Sequence, residues 1–207
     1  MREEIKHPCV QHKLAIIRDE ETGHKIFREL ATEITKFLCY EALKNIKTRA
    51  VDVQTPLAKA SCQEIDTNIV VVPILRAGIG MLDGILELVP TARVGFVGLY
   101  RDEETKKPVS YYQRFPPQVK GGTCIIIDPM LATGGSTVAT IDLLKQEGAA
   151  EIVVICIVTC EEGLELVEAK HPDVPIYTAS IDDHLDDNKY IVPGLGDAGD
   201  RLFGTSH

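Results

Sequence analysis

At 207 residues, 44% hydrophobic and 26% charged, the chain has the proportions of an ordinary globular domain with a sizeable core. The apolar runs IVVVPIL from Ile69 and IVVICIV from Ile152 are far shorter than the roughly 20 residues a membrane helix requires, and the opening MREEIKHP carries acids where a signal peptide would be basic and then apolar. A net charge of −9 at pH 7 argues against broad nucleic-acid binding but allows a phosphorylated small molecule in a pocket of its own potential, so the expectation is a soluble cytoplasmic protein without membrane or nucleic-acid partners.

In chain order, residues 22–43 place Ile26, Phe27, Leu30, Ile34, Phe37 and Leu38 at spacings of three and four, which predicts an amphipathic helix. After a polar stretch, NIVVVPIL from Asn68 has the length of a buried strand, and RAGIGMLDGILELVP returns to helical spacing through Ile79, Leu82, Ile85 and Leu86. ARVGFVGLY predicts the next strand and is followed by a polar excursion over 101–122. From Thr123 the pattern is strand (123–128), loop, helix (137–147, closed by Gly148) and strand (151–159); a helix near 161–170 and the strand IYTASI follow. Apolar strands without alternation, separated by helices, predict an α/β fold with a mostly parallel central sheet flanked by helices. The six cysteines, at 9, 39, 62, 124, 156 and 160, form no Cys-x-x-Cys pair and read as reduced thiols, Cys124 and Cys156 as core filler.

Three stretches carry chemistry. In open α/β sheets, ligands bind beyond the carboxyl ends of the strands, where helix amino termini offer unpaired N–H groups to anions. In IIIDPMLATGGST, 125–137, Gly134 and Gly135 let successive N–H groups turn into one concavity, and Thr133, Ser136 and Thr137 add hydroxyls. The stretch reads as a phosphate cradle, although a glycine turn into an ordinary capped helix looks the same locally; it fits neither the Walker spacing nor Gly-x-Gly-x-x-Gly. Asp128, just before the loop, suits sugar hydroxyls, a phosphate-bound Mg2+ or simply the approach to a helix. Arg76 ends one apolar strand, ahead of Gly78 and Gly80, and Arg101 ends the next; each can fork onto phosphate oxygens or form a surface ion pair. The excursion 101–122 reads as a lid or as a solvated hairpin. The tail YIVPGLGDAGDRLFGT, 190–205, can read a flat polar ring through its main chain, and Ile191, Leu195, Leu202 and Phe203 argue that it packs. His184 in DDHLDD reads as a surface residue.

Together these stretches resemble the uracil phosphoribosyltransferase family: IIIDPMLATGGS its phosphoribosyl-diphosphate loop, ILRAG its diphosphate segment, YIVPGLGDAGDRLFGT its uracil-binding tail and HPCVQHKLAIIRDEETG its opening arm. The wider class usually has two adjacent acids before the loop, whereas Asp128 is followed by Pro129, as in the uracil enzymes. The resemblance implies a type I phosphoribosyltransferase fold in a single domain over 1–207, with a small carboxy-terminal base-binding hood and an amino-terminal arm. It implies transfer of the phosphoribosyl group from 5-phospho-α-D-ribose 1-diphosphate (PRPP) to N1 of uracil, giving UMP and diphosphate in pyrimidine salvage.

Carried over by position, Asp128, Pro129, Met130, Leu131, Ala132, Thr133, Gly134, Gly135 and Ser136 would hold the ribose 5-phosphate, Arg76 and Arg101 the diphosphate, and Ile191, Gly196, Asp197 and Ala198 uracil. Asp197 would also approach the sugar diphosphate, which makes Arg76, Arg101, Asp128 and Asp197 the catalytic candidates. Mg2+ would arrive bound to the diphosphate, with no all-protein metal cage. The resemblance further implies a homodimer or higher homo-oligomer, and GTP as a candidate effector, since some relatives respond to it; no motif marks a second nucleotide site. Two competing readings are a nucleotide- and RNA-binding regulator, which would want a basic face, and a transferase for another base. For a purine, Phe203, the only aromatic after Tyr190, leaves little to stack on.

Overall fold

The computed structural model describes residues 1–101 and 108–205. Its elements are strand β1 (Arg2–Glu4), helices α1 (Pro8–Arg18) and α2 (His24–Ala42), strands β2 (Thr48–Gln54), β3 (Lys59–Ile65) and β4 (Ile69–Leu75), helix α3 (Ile79–Leu88), and strands β5 (Arg93–Val94), β6 (Phe96–Arg101) and β7 (Pro108–Arg114). A 3-10 turn (Pro117–Val119) leads to strands β8 (Thr123–Ile127) and β9 (Met130–Leu131), helix α4 (Gly135–Gln146), strand β10 (Glu151–Cys160) and helix α5 (Glu161–Lys170). Strands β11 (Ile176–Asp182), β12 (His184–Leu185) and β13 (Ile191–Val192) and helix α6 (Ala198–Phe203) follow.

The central strands are apolar along most of their length because side chains on both of their faces enter one of two cores. In β4, Ile69 and Val71 face one core while Val70, Val72 and Ile74 face the other. Strand β8 divides Ile125 and Ile127 from Cys124 and Ile126 in the same way, and β10 divides Val153, Ile155 and Ile157 from Ile152, Val154 and Cys156. Helices α1, α2 and α3 close the first core through Val10, Leu14, Ile17, Phe27, Ile34, Leu38, Met81 and Ile85. Helices α4 and α5 close the second through Ile141, Leu144, Leu164 and Val167. Each such side chain contributes roughly 1.5–3 kcal/mol when fully buried, so the strands expected from sequence are also where the stability is concentrated. Cys124 and Cys156 sit in this interior as expected, and burial pushes both thiols up to about 12.

The main sheet runs β1-β11-β10-β8-β4-β6-β7, with β5 beside β4 and β9 beside β10. Its pairs are parallel except β6 with β7. The chain moves outward from β4 to β6, then returns past β4 to β8 and continues the other way through β10 and β11. Winding therefore reverses between β4 and β8, the position where carboxyl ends open a crevice in sheets of this kind.

Several elements differ from the sequence-based expectation. The amino-terminal arm, for which no element was predicted, is ordered as a strand and a helix: β1 extends the sheet alongside β11, and α1 buries Val10, Leu14 and Ile17. The polar stretch after α2 is instead a two-stranded hairpin, β2 with β3, apart from the main sheet, with Leu57 96% exposed at its tip. The strand ARVGFVGLY is broken at Gly95 into β5 and β6. Of the excursion 101–122, residues 102–107 and the Arg101 and Pro108 side chains lie outside the described residues; the remainder is β7 and the 3-10 turn. Among the described residues no helix is long and apolar enough to cross a membrane.

Helices α2 and α3 approach closely at Gly84, where an added Cβ would lie 2.5 Å from the Thr32 carbonyl oxygen and 2.9 Å from Thr35 Cβ. Alanine is the better helix former, yet Gly84→Ala is expected to lower stability by about 1–3 kcal/mol through overpacking, and urea unfolding of the two proteins measures it.

Candidate active site

Three neighbouring strands deliver the candidate residues to one edge of the sheet. Pro73 of β4 pairs with Ile127 of β8, so Arg76 and Asp128 emerge just beyond adjacent strand ends. On the other side of β4, Leu75 pairs with Gly98 of β6, and Arg101 closes that strand. The backbone thus brings Arg76, Arg101 and Asp128 to the same crevice.

The loop after β8 is shaped by its neighbours in β10 and α5. Pro129 accepts hydrogen bonds from the amides of Ile157 and Val158, and Met130 and Leu131 form the short strand β9 against Val158 and Thr159. Gly134 takes a left-handed conformation, with φ +78°, that favours glycine, and its Cα faces the Gly163 carbonyl so closely that an added Cβ would lie 2.7 Å from that oxygen. Helix α4 starts at Gly135, two residues earlier than the spacing predicts, which puts Gly135 and Ser136 in its first turn. No side chain caps this helix, and first-turn N–H groups have no acceptor four residues back. Donors and positive dipole end therefore face the loop.

Asp128, a half-buried residue, stands at the start of this loop. Desolvation pushes its pKa up to about 7, against the lowering effect of the Met130 amide, which donates to Oδ1 at 3.4 Å. A proton or cation is therefore favoured at this oxygen.

The tail is a docked structure with its own fixings. Strands β12 and β13 pair antiparallel, Gly194 and Gly196 take φ of +60° and +69°, and Asp197 caps α6 by accepting the Asp200 amide at 2.9 Å. Asp182, at the end of β11 and with a 2% exposed side chain, receives both guanidinium nitrogens of Arg18, at 2.8 and 2.6 Å, together with the Gly194 amide at 2.9 Å and the Ser180 hydroxyl at 2.7 Å. Burial alone would raise the Asp182 pKa, but Arg18, Ser180 and the Gly194 amide outweigh it and hold the carboxyl below its ordinary value. Arg18 also donates to the Gly194 carbonyl at 2.8 Å. Arg201 of α6 completes the attachment: it donates to the carbonyls of Ile17, Leu195 and Asp19 and lies 4.5 Å over the Phe27 ring.

This attachment brings the tail to the arginine end of the crevice. Arg76 Nη2 lies 3.5 Å from Asp200 Oδ1, and Leu202 packs against Gly80 of α3. Ile191 and Ala198 are buried, so the Ile191 side chain belongs to the core and only its backbone is left for a ligand, whereas Gly196 is exposed. His184 is exposed on β12, as expected. Sequence reasoning missed Arg18, Ser180, Asp182 and Arg201. Asp182 carried a usable signal, a charged residue closing an apolar strand, the same signal that singled out Arg76.

A mostly parallel sheet whose winding reverses beside a glycine-rich loop is the architecture of type I phosphoribosyltransferases. A hypoxanthine-guanine phosphoribosyltransferase structure from Bacillus anthracis shares the fold at TM-score 0.54 and 13% identity, over 77% of this chain and 79% of that one. The model of the uracil phosphoribosyltransferase family matches residues 4–205, and the chain belongs to that family. Uracil phosphoribosyltransferases from Dictyoglomus thermophilum and Symbiobacterium thermophilum are 53% and 52% identical to it, covering 97% of this chain and 98% and 97% of theirs. A solved structure from Aquifex aeolicus superposes with TM-score 0.94 at 38% identity, over 100% of this chain and 99% of that one.

Asp128 sets a pH dependence of stability. Its folded pKa of about 7 lies above the ordinary carboxylate value, so the folded state binds the extra proton and stability falls as pH rises from about 4 to about 7. Asp128→Asn is expected to stabilise the ligand-free protein at pH 8 by on the order of 2–4 kcal/mol and to change it little at pH 4, read from urea unfolding at the two pH values.

Proposed function

We propose that this chain, a uracil phosphoribosyltransferase, carries out its reaction in the crevice between β4 and β8, with the residue roles that follow. The amides and hydroxyls of Thr133 to Ser136 hold the 5-phosphate of PRPP, with Asp128 at the ribose. Arg76 and Arg101 grip the diphosphate. The backbone of Ile191, Gly196 and Ala198, together with Asp197, reads uracil. The observation that carries this reading is the meeting of α6 with Arg76 beside the loop of β8. An added Cβ on Gly199 would lie 3.2 Å from Asp197 Oδ1 and 3.6 Å from Arg76 Nη2, so tail and diphosphate arginine form one wall.

The reaction forms the bond from uracil N1 to ribose C1 and breaks the bond from C1 to the diphosphate oxygen, and the N1 proton is lost. Positive charge grows on the ribose and negative charge on the leaving group as the bond lengthens. The guanidinium groups of Arg76 and Arg101 answer the second, and the cradle and tail align the two substrates for displacement. No covalent nucleophile is required. Mg2+ would enter with the diphosphate and neutralise its charge, meeting Asp128 and Asp197 as the nearby carboxylates; among the described residues no three His, Cys, Asp or Glu side chains group as a metal site. A cytoplasmic location, assembly as a homodimer or larger, and control by GTP belong to the same reading and rest on the family resemblance. Light scattering and a GTP titration of the rate test the last two.

The deciding experiment is diphosphate release from PRPP and Mg2+ with uracil, cytosine, hypoxanthine, adenine or orotate supplied separately. UMP formation with uracil alone is expected; release with another base would overturn the assignment of the tail. Arg101→Ala is expected to lower kcat/KM by about 100-fold or more with little change in unfolding midpoint. In Gly196→Val a β-branched residue is forced into a left-handed conformation that costs roughly 1–2 kcal/mol. The re-aimed amides should raise the KM for uracil at least tenfold while PRPP still binds, and separate titrations of the two ligands distinguish these effects.

A further inference from the structure

Behind the loop 128–136 lies a row of groups that face its carbonyls. We infer that Thr159, Cys160 and Gly163, at the junction of β10 and α5, are positioning residues that aim the loop's amides at the 5-phosphate. The inference rests on the reading of 128–136 as the phosphate cradle. Thr159, fully buried, donates its hydroxyl to the Leu131 carbonyl at 2.9 Å; its approach to the Cys160 carbonyl, 3.3 Å, is longer. Cys160 points its thiol at the Ala132 carbonyl at 3.3 Å.

A trans peptide unit is planar, with N–H and C=O on opposite sides. Holding the Leu131 and Ala132 carbonyls toward β10 therefore turns the next two N–H groups, those of Ala132 and Thr133, the opposite way, out of the protein's interior. Gly163 sets how near the backing can come. An added Cβ there would lie 2.3 Å from the Ala132 carbonyl oxygen and 2.4 Å from Leu131 Cδ2, and the Gly163 carbonyl in turn lies against Gly134. The three residues thus fix consecutive peptide planes from one side, and an anion is bound by the other.

The test compares Thr159→Val, which keeps shape and loses the donor, with Thr159→Ser, which keeps the hydroxyl. Steady-state kinetics give kcat and separate KM values for PRPP and uracil, with Thr133→Ala and Ser136→Ala as direct loop variants. Loss of one buried hydrogen bond is expected to raise the KM for PRPP roughly tenfold in Thr159→Val. The KM for uracil should stay within about twofold, and Thr159→Ser should restore the native value. Should Thr159→Val fail to fold, Cys160→Ala against Cys160→Ser makes the same comparison. If the loop variants raise the KM for PRPP and the backing variants do not, the backing role is wrong and the cradle stands. If neither set changes it, the cradle reading falls and the inference with it. A loss spread equally over both substrates, unrepaired by serine, would show Thr159 to be structural only and would also overturn the inference.

Discussion

The crevice is completed by one buried ion pair between residues far apart in the chain. Asp182 is almost wholly removed from water, a position in which an uncompensated carboxylate would cost several kcal/mol. Arg18 meets it with two parallel bonds, and Ser180 and the Gly194 amide take further lone pairs, so the charge is both paired and solvated by the protein. Because the same guanidinium also bonds the Gly194 carbonyl, α1, the end of β11 and the first glycine of the tail are held at a single point. From there Arg201 and Leu202 carry α6 to the start of α3, where Arg76 waits. A hydrophobic pair of similar volume could hold these segments together, but it could not at the same time claim the amide and the carbonyl of one glycine.

Asp128 is the opposite kind of carboxylate. Among the described residues no cation pairs with it and its hydrogen bond, from the Met130 amide, is long, and folding raises its pKa where it lowers that of Asp182. The fold therefore spends stability on an acid that a bound cation or a ribose hydroxyl would satisfy. The following Pro129 accepts two amides from β10, which fixes the loop immediately after the acid, so the unsatisfied group is held in place rather than left to relax.

How far the sequence could be read depended on whether a contact was local. Strands β4, β8 and β10 were legible as continuous apolar runs because both sheet faces are covered, and α2 because one of its faces is not. The hairpin β2–β3 was illegible because both of its faces are solvated, leaving no contrast for a period of two to act on. Helix α1 had readable signals, Pro8 in the first turn and Val10, Leu14 and Ile17 at helical spacing, though its polar opening residues blur the pattern. The early start of α4 was hidden by Gly135, a poor helix former that is tolerated in a first turn. The strand-end residues Arg76, Arg101 and Asp128 could be picked out by position alone. The partnership of Arg18 with Asp182 spans 164 residues, and nothing in either neighbourhood names the other.

That separation bears on the order in which the crevice becomes usable during synthesis. The main sheet, the second core and the loop after β8 are encoded before residue 183, while the first core takes Ile191, Leu195 and Leu202 from the tail; α1, which supplies the socket for the tail, is among the first segments made. The tail, 190–205, is translated after both of the elements it docks on, α1 and β11. On the proposed reading, the half of the crevice that would take the sugar phosphate is thus translated before the half that would take the base, and the two are joined only where residues 182–201 dock on α1.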